Sequence, residues 1–110
     1  MAQAVLRVDG LPPAPLDAAA AFHAQWLPSA RIALAAGRDL ALVFAPAGHE
    51  HRAWRLAVVQ ELAREAAVLR VNALVGEDAA GLSEMLDWLG GAKAITGQLL
   101  TVDGKSGERG

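Results

Sequence analysis

Asp39-Leu-Ala-Leu-Val-Phe-Ala45 sets six apolar residues in a row behind one aspartate, and Pro46 and Gly48 close it. An apolar run without alternation suits a strand buried on both faces of a parallel sheet. From residue 50 to residue 67 the period changes to that of a helix. On a 100° wheel Leu56, Val58, Val59, Leu62, Ala63, Ala66 and Ala67 fill about half of the circumference, and Glu50, Gln60, Glu61, Arg64 and Glu65 hold the rest. Val68-Leu-Arg-Val-Asn-Ala-Leu-Val75, ended by Gly76, then reads as a second strand. Strand, helix and strand in that order form a βαβ unit, whose crossover is right-handed and whose strands are parallel.

The same alternation extends both ways. Upstream, Ala4-Val-Leu-Arg-Val8 predicts a strand, ended by Asp9-Gly10 and by Pro12, Pro13 and Pro15. An Ala-rich helix follows to residue 36, with Asp17 as its expected N-cap and Gly37 as its stop. Pro28 removes a backbone donor inside that stretch, so a break is expected near Trp26-Leu27. Downstream, residues 82–89 with Met85 and Trp88 predict a short amphipathic helix stopped by Gly90-Gly91. Gln98-Leu-Leu-Thr-Val102 is the fourth strand, and the glycine-rich tail 105–110 is expected to fray. The reading is one α/β domain over residues 1–104, a four-stranded parallel sheet flanked by helices, with a flexible tail over 105–110.

Composition narrows the chemistry. The chain has 110 residues, 54% of them hydrophobic and 20% charged, enough apolar matter for a core. With 10 Lys+Arg against 12 Asp+Glu the formal charge is −2, which excludes the basic field that nucleic acid requires. No cysteine is present, so disulfides, thiolate metal sites and cysteine nucleophiles are excluded. Tyrosine is also missing. One basic residue precedes Pro12-Pro13, with no long apolar stretch, so neither a signal peptide nor a membrane span is expected and a cytoplasmic location is the default.

Leu62-Ala-Arg-Glu65, Leu69-Arg-Val-Asn-Ala73 with Gly76, and Ile95-Thr-Gly-Gln-Leu-Leu-Thr-Val-Asp-Gly104 carry a family likeness. Together they resemble the C-terminal half of the short-chain dehydrogenase/reductase family. The resemblance implies a partial Rossmann-like three-layer sandwich in which residues 4–10 and 39–46 match the family's fourth and fifth strands. It also implies that the half of the sheet that holds the dinucleotide lies outside these residues. None of the eleven glycines forms Gly-x-x-x-Gly-x-Gly or Gly-x-Gly-x-x-Gly, so no cofactor is expected and residual NAD(P) binding is not.

The family's Tyr-x-x-x-Lys pair opens the helix that carries Leu62-Ala-Arg-Glu65. Counting back, its lysine falls on Arg52 and its tyrosine on Gly48. The catalytic serine would stand near Phe44, Ala45 and Pro46, and the preceding helix has no asparagine. Hydride transfer in this family needs a phenol that can trade a proton with substrate, which glycine cannot supply. The loop after Gly76, which in the family closes over substrate, is reduced to a few residues around Asp78-Ala-Ala-Gly81. The implication is that no residue is catalytic, none binds cofactor and none binds metal.

His49-Glu50-His51 offers metal-ligand types, but i and i+2 diverge on a helix, so a solvated helix start is the simpler reading. His49, His51 and Arg52 remain as a weak candidate site. His23 reads as a surface or packing residue. Asp9, Asp39 and Asp103 stand at strand or turn boundaries and read as structural, and Asn72 as a packing and hydrogen-bonding residue. Trp54 falls on the polar side of its helix, where an indole in water is wasteful, so a partner surface is expected there.

Two classes of function follow. In the resembled family the helices before and after the fifth strand pack into a four-helix bundle across a dimer axis. Here that implies an interface with Trp26, Trp54, Val58 and Leu62 as anchors, and a homodimer or higher oligomer, or a complex with a full-length short-chain reductase. The protein would then be a non-catalytic oligomerisation or regulatory subunit. The alternative is a stand-alone small-molecule binder or a divergent enzyme built around His49, His51 and Arg52. A reductase encoded next to this chain favours the first, and nucleotide binding at the strand ends favours the second.

Overall fold

The computed structural model describes residues 3–102. Asp103 and the tail 105–110, with their expected roles, lie outside the described residues. Four strands, β1 (Ala4–Val8), β2 (Leu40–Phe44), β3 (Val71–Val75) and β4 (Leu99–Thr101), form one sheet in the order 1-2-3-4. Every pair is parallel, with Ala4 beside Leu40, Leu40 beside Val71 and Ala73 beside Leu99. Helices α1 (Pro15–Gln25), α2 (Leu27–Ala35), α3 (Arg52–Glu65) and α4 (Ala79–Gly91) alternate with them.

The parallel sheet with helices on both faces is the partial Rossmann-like sandwich that the sequence implied. All five residues of β2 are buried, because its alternate side chains enter two different cores. Leu40, Leu42 and Phe44 meet Phe22 of α1, Ala30 and Leu34 of α2, and Val58, Val59 and Leu62 of α3. Ala41 and Val43, with Leu74 of β3, meet Leu82, Leu86 and Leu89 of α4. Three helices thus cover one face and α4 the other.

Several boundaries differ from the sequence reading. Asp17 is not the N-cap of α1; Ala14 holds that position with no side-chain hydrogen bond, and Pro15 starts the helix. Proline fits there because its missing N–H has no helical partner to lose, and Asp17 still favours the positive helix end from the first turn. The break expected from Pro28 is present, with Trp26 joining α1 to α2. Val68 is not in a strand: its φ is +76° and its side chain is 99% exposed. The chain turns through Val68, and β3 starts three residues later. Helix α4 is longer than predicted, since Asp78 caps it by accepting from the Gly81 N–H at 2.7 Å. Ala79 to Gly81 are therefore its first turn and not loop.

Two polar clasps fix the sheet ends. Asp39 accepts the backbone N–H of Arg70 at 2.8 Å and two guanidinium N–H groups at 3.0 and 2.6 Å. Arg70 also donates to the carbonyls of Leu89 and Ala92, tying the end of α4 to the sheet. Buried Asn72 donates to the Ile95 carbonyl and accepts from the Gln98 N–H, which holds the segment leading into β4. These are the structural roles expected of Asp39 and Asn72. Among the described residues no helix is long and apolar enough to cross a membrane.

Candidate functional site

Parallel strands expose their carboxyl ends on one side, where loops leave the sheet and ligands of open α/β folds bind. Here that side holds two neighbouring clefts. The larger, about 400 Å³, lies beyond β1 and β2, between residues 9–13 and the turn 45–51. The smaller, about 200 Å³, lies between that turn and the ends of β3 and β4. Gly48, His51 and Arg55 line both.

Arg55 is the residue that sequence reasoning missed. Only 7% exposed, it donates from Nη1 to the Ala45 carbonyl at 3.0 Å, and its Nε has no hydrogen-bond partner. Its guanidinium carbon lies 4.6 Å from the Phe44 ring centroid and 5.8 Å from that of Trp54. Among the described residues no carboxylate pairs with it. Burial lowers its pKa from the ordinary guanidinium value, the direction expected when charge leaves water. A signal was available, because Arg55 shares one helix face with Val58, Val59 and Leu62, all buried.

His51 corrects the expectation of a solvated helix start. Residues His49–His51 form a 3₁₀ turn before α3, and it buries His51. An indole N–H can only donate, so the Trp54 Nε1–H at 3.0 Å makes His51 Nδ1 an acceptor. The proton then sits on Nε2, which donates to the Pro13 carbonyl at 2.9 Å. Both ring nitrogens are occupied, and His51 joins the loop before α1 to the start of α3. His49 and Arg52 stay exposed and line the smaller cleft. Among the described residues no cluster of three or more His, Cys, Asp or Glu side chains could hold a metal ion.

Gly48, where the resemblance puts the family's tyrosine, is open to solvent on this rim, and the Glu50 carboxylate folds back over it. Ala45 and Pro46, near which the resemblance puts the family's serine, are exposed beside it. No hydroxyl or phenol stands at either place. Thr101 adds a side-chain hydroxyl to the smaller cleft.

The predicted interface anchors turn mostly inward. Trp54 is half-buried against Phe22 and Phe44, with ring centroids 5.8 and 5.6 Å apart, because α1 covers the side of α3 that the wheel assigned to solvent. Trp26 packs against the same core. Val58 and Leu62 are buried beneath that core too, which leaves little of either for a partner. Their edges still line an apolar groove of about 280 Å³ with Leu27, Trp54 and Ala57. Arg31 and Glu65 flank this groove and join α2 to α3 by two hydrogen bonds, at 2.9 and 2.8 Å.

Comparison with known proteins gives one family: the model of short chain dehydrogenase-like proteins matches residues 6–102. No curated protein and no solved structure matches the chain.

Proposed function

Since the chain belongs to the short chain dehydrogenase-like family, we propose that it is a non-catalytic member that acts by association. It self-assembles as a homodimer or higher oligomer, or joins a full-length short-chain reductase as an oligomerisation or regulatory subunit. The observation that carries the non-catalytic part is Gly48: where the family aligns a phenol with its lysine, this chain has a bare backbone beside Arg52. Proton exchange with a carbonyl or hydroxyl needs a titratable group within hydrogen-bond reach, and a guanidinium does not give up its proton near neutrality. NAD(P) binding is not part of this reading, and a cytoplasmic location is.

Association is supported by the groove along α2 and α3. Its small Ala57 is exposed between apolar neighbours, so a second helix could approach closely there. Among the described residues strand β1 also has a neighbour on one side only, and an open edge of this kind favours cover by another chain. The test is native mass spectrometry of the complex isolated through this protein from its source cells, with sedimentation velocity of the purified chain. A stoichiometric reductase supports the subunit form, and a concentration-dependent homo-oligomer supports self-assembly. A monomer with no partner in either experiment overturns the proposal.

A further inference from the structure

We infer that the smaller cleft binds a small oxyanion, the phosphate or carboxylate group of a ligand, with Arg55 and Arg52 as its charge partners. This inference does not depend on the association reading, since the cleft and the helical groove share no lining residue.

The first observation is Arg55. A guanidinium withdrawn from water costs free energy unless an anion or a full set of acceptors meets it. Among the described residues Arg55 is buried with a single carbonyl acceptor, an orphaned Nε and two adjoining aromatic rings within 6 Å of its guanidinium carbon. Those rings favour a cation but do not accept its N–H groups in the way an oxyanion does. It lies against two clefts, so a counter-ion has a place to sit.

Charge decides between the clefts. The larger is lined by Asp9 and Glu50, which oppose an anion. Among the described residues no acidic side chain lines the smaller, and Arg52 and Arg55 meet there with His49 and the Thr101 hydroxyl. Helix α3 starts at its wall with no acidic residue in its own first turn, so its positive end adds to the same field, and Glu50 of the preceding turn lies over Gly48 and lines the larger cleft. At about 200 Å³ the space accommodates a single phosphate or carboxylate group with its nearest atoms. An oxyanion there would accept from guanidinium and hydroxyl donors together, and it would neutralise the one buried cation that no described carboxylate pairs.

The test uses the full chain, titrated in parallel with inorganic phosphate and with acetate while backbone amide and arginine side-chain NMR signals are followed. The expected result is saturable shifts at residues 48–52, at the Arg55 Nε–H and at Thr101. The stronger of the two titrations identifies which oxyanion the site prefers. Arg55→Gln should abolish saturation. Arg52→Gln, at an exposed side chain that does not hold the fold, should weaken affinity about fivefold. Arg31→Gln, at the distant helical groove, should bind as the parent does. The inference is overturned if neither anion gives a saturable response, or if Arg52→Gln and Arg31→Gln alter it equally. Should Arg55→Gln fail to fold, Arg52→Gln against Arg31→Gln decides alone.

Discussion

Asp39 and Arg70 form the most buried ion pair among the described residues, with side chains 22% and 15% exposed. Burial alone would raise the Asp39 pKa, but the hydrogen bonds and charge of Arg70 outweigh it and leave the carboxyl below its ordinary value. A depressed carboxyl contributes stability that is complete above its unfolded pKa of about 4 and is lost as pH falls through the folded value. Asp39→Asn should cost about 2 kcal/mol in urea denaturation at neutral pH, and its stability should fall less steeply than the parent's below about pH 4. A variant with the parent's acid slope would assign that slope to other carboxyls. At His51 the geometry fixes a tautomer, so long-range proton–nitrogen NMR should find Nδ1 bare and Nε2 protonated in the neutral ring. The reverse assignment would remove the Trp54 hydrogen bond. Neither the partner of Asp39 nor the burial of His51 was legible in sequence, because Arg70 and Pro13 stand 31 and 38 positions away.

At the scale of elements, periodicity worked where one environment persisted along the segment. Strand β2 is buried on both faces, so its apolar run identified it directly. Val68 and Leu69 failed that test, since β-branched and apolar composition reads as strand while the backbone turns there. A β-branched residue at φ +76° with a fully exposed side chain holds strain without packing in return. Val68→Gly should therefore stabilise the fold by about 1 kcal/mol, allowing for the extra entropy of glycine in the unfolded chain. Thermal denaturation reads this as a rise in Tm, and a fall would show that Val68 makes contacts the fold needs. The first turn of α4 escaped notice because Gly81 has low helix propensity, and Asp78 supplies the start by accepting its N–H.

At the scale of the molecule, three helices cover one face of the sheet, α4 covers the other, and among the described residues β1 pairs along one edge only. If the helical groove is the association face, placing a charge at its exposed small residue should break assembly and spare the core. Ala57→Arg should shift the chain toward monomer in sedimentation velocity with its melting cooperativity intact. Assembly that persists unchanged would move the interface away from α2 and α3. The wheel put Trp54 on the solvent side of α3, yet it packs against Phe22 and Phe44. A wheel describes one helix at a time, and α1 lies across that side.

Short-range pattern by itself determined the parallel α/β class, the order of elements and the break at Pro28. Each of these depends on residues near one another in sequence, where apolar period and proline chemistry act directly. Tertiary structure alone decided that His51 joins two loops, that Trp54 packs against Phe22 and Phe44, and that two clefts meet at Arg55. Burial and pairing are sums over neighbours brought from distant parts of the chain, and a linear pattern cannot state which neighbours those are.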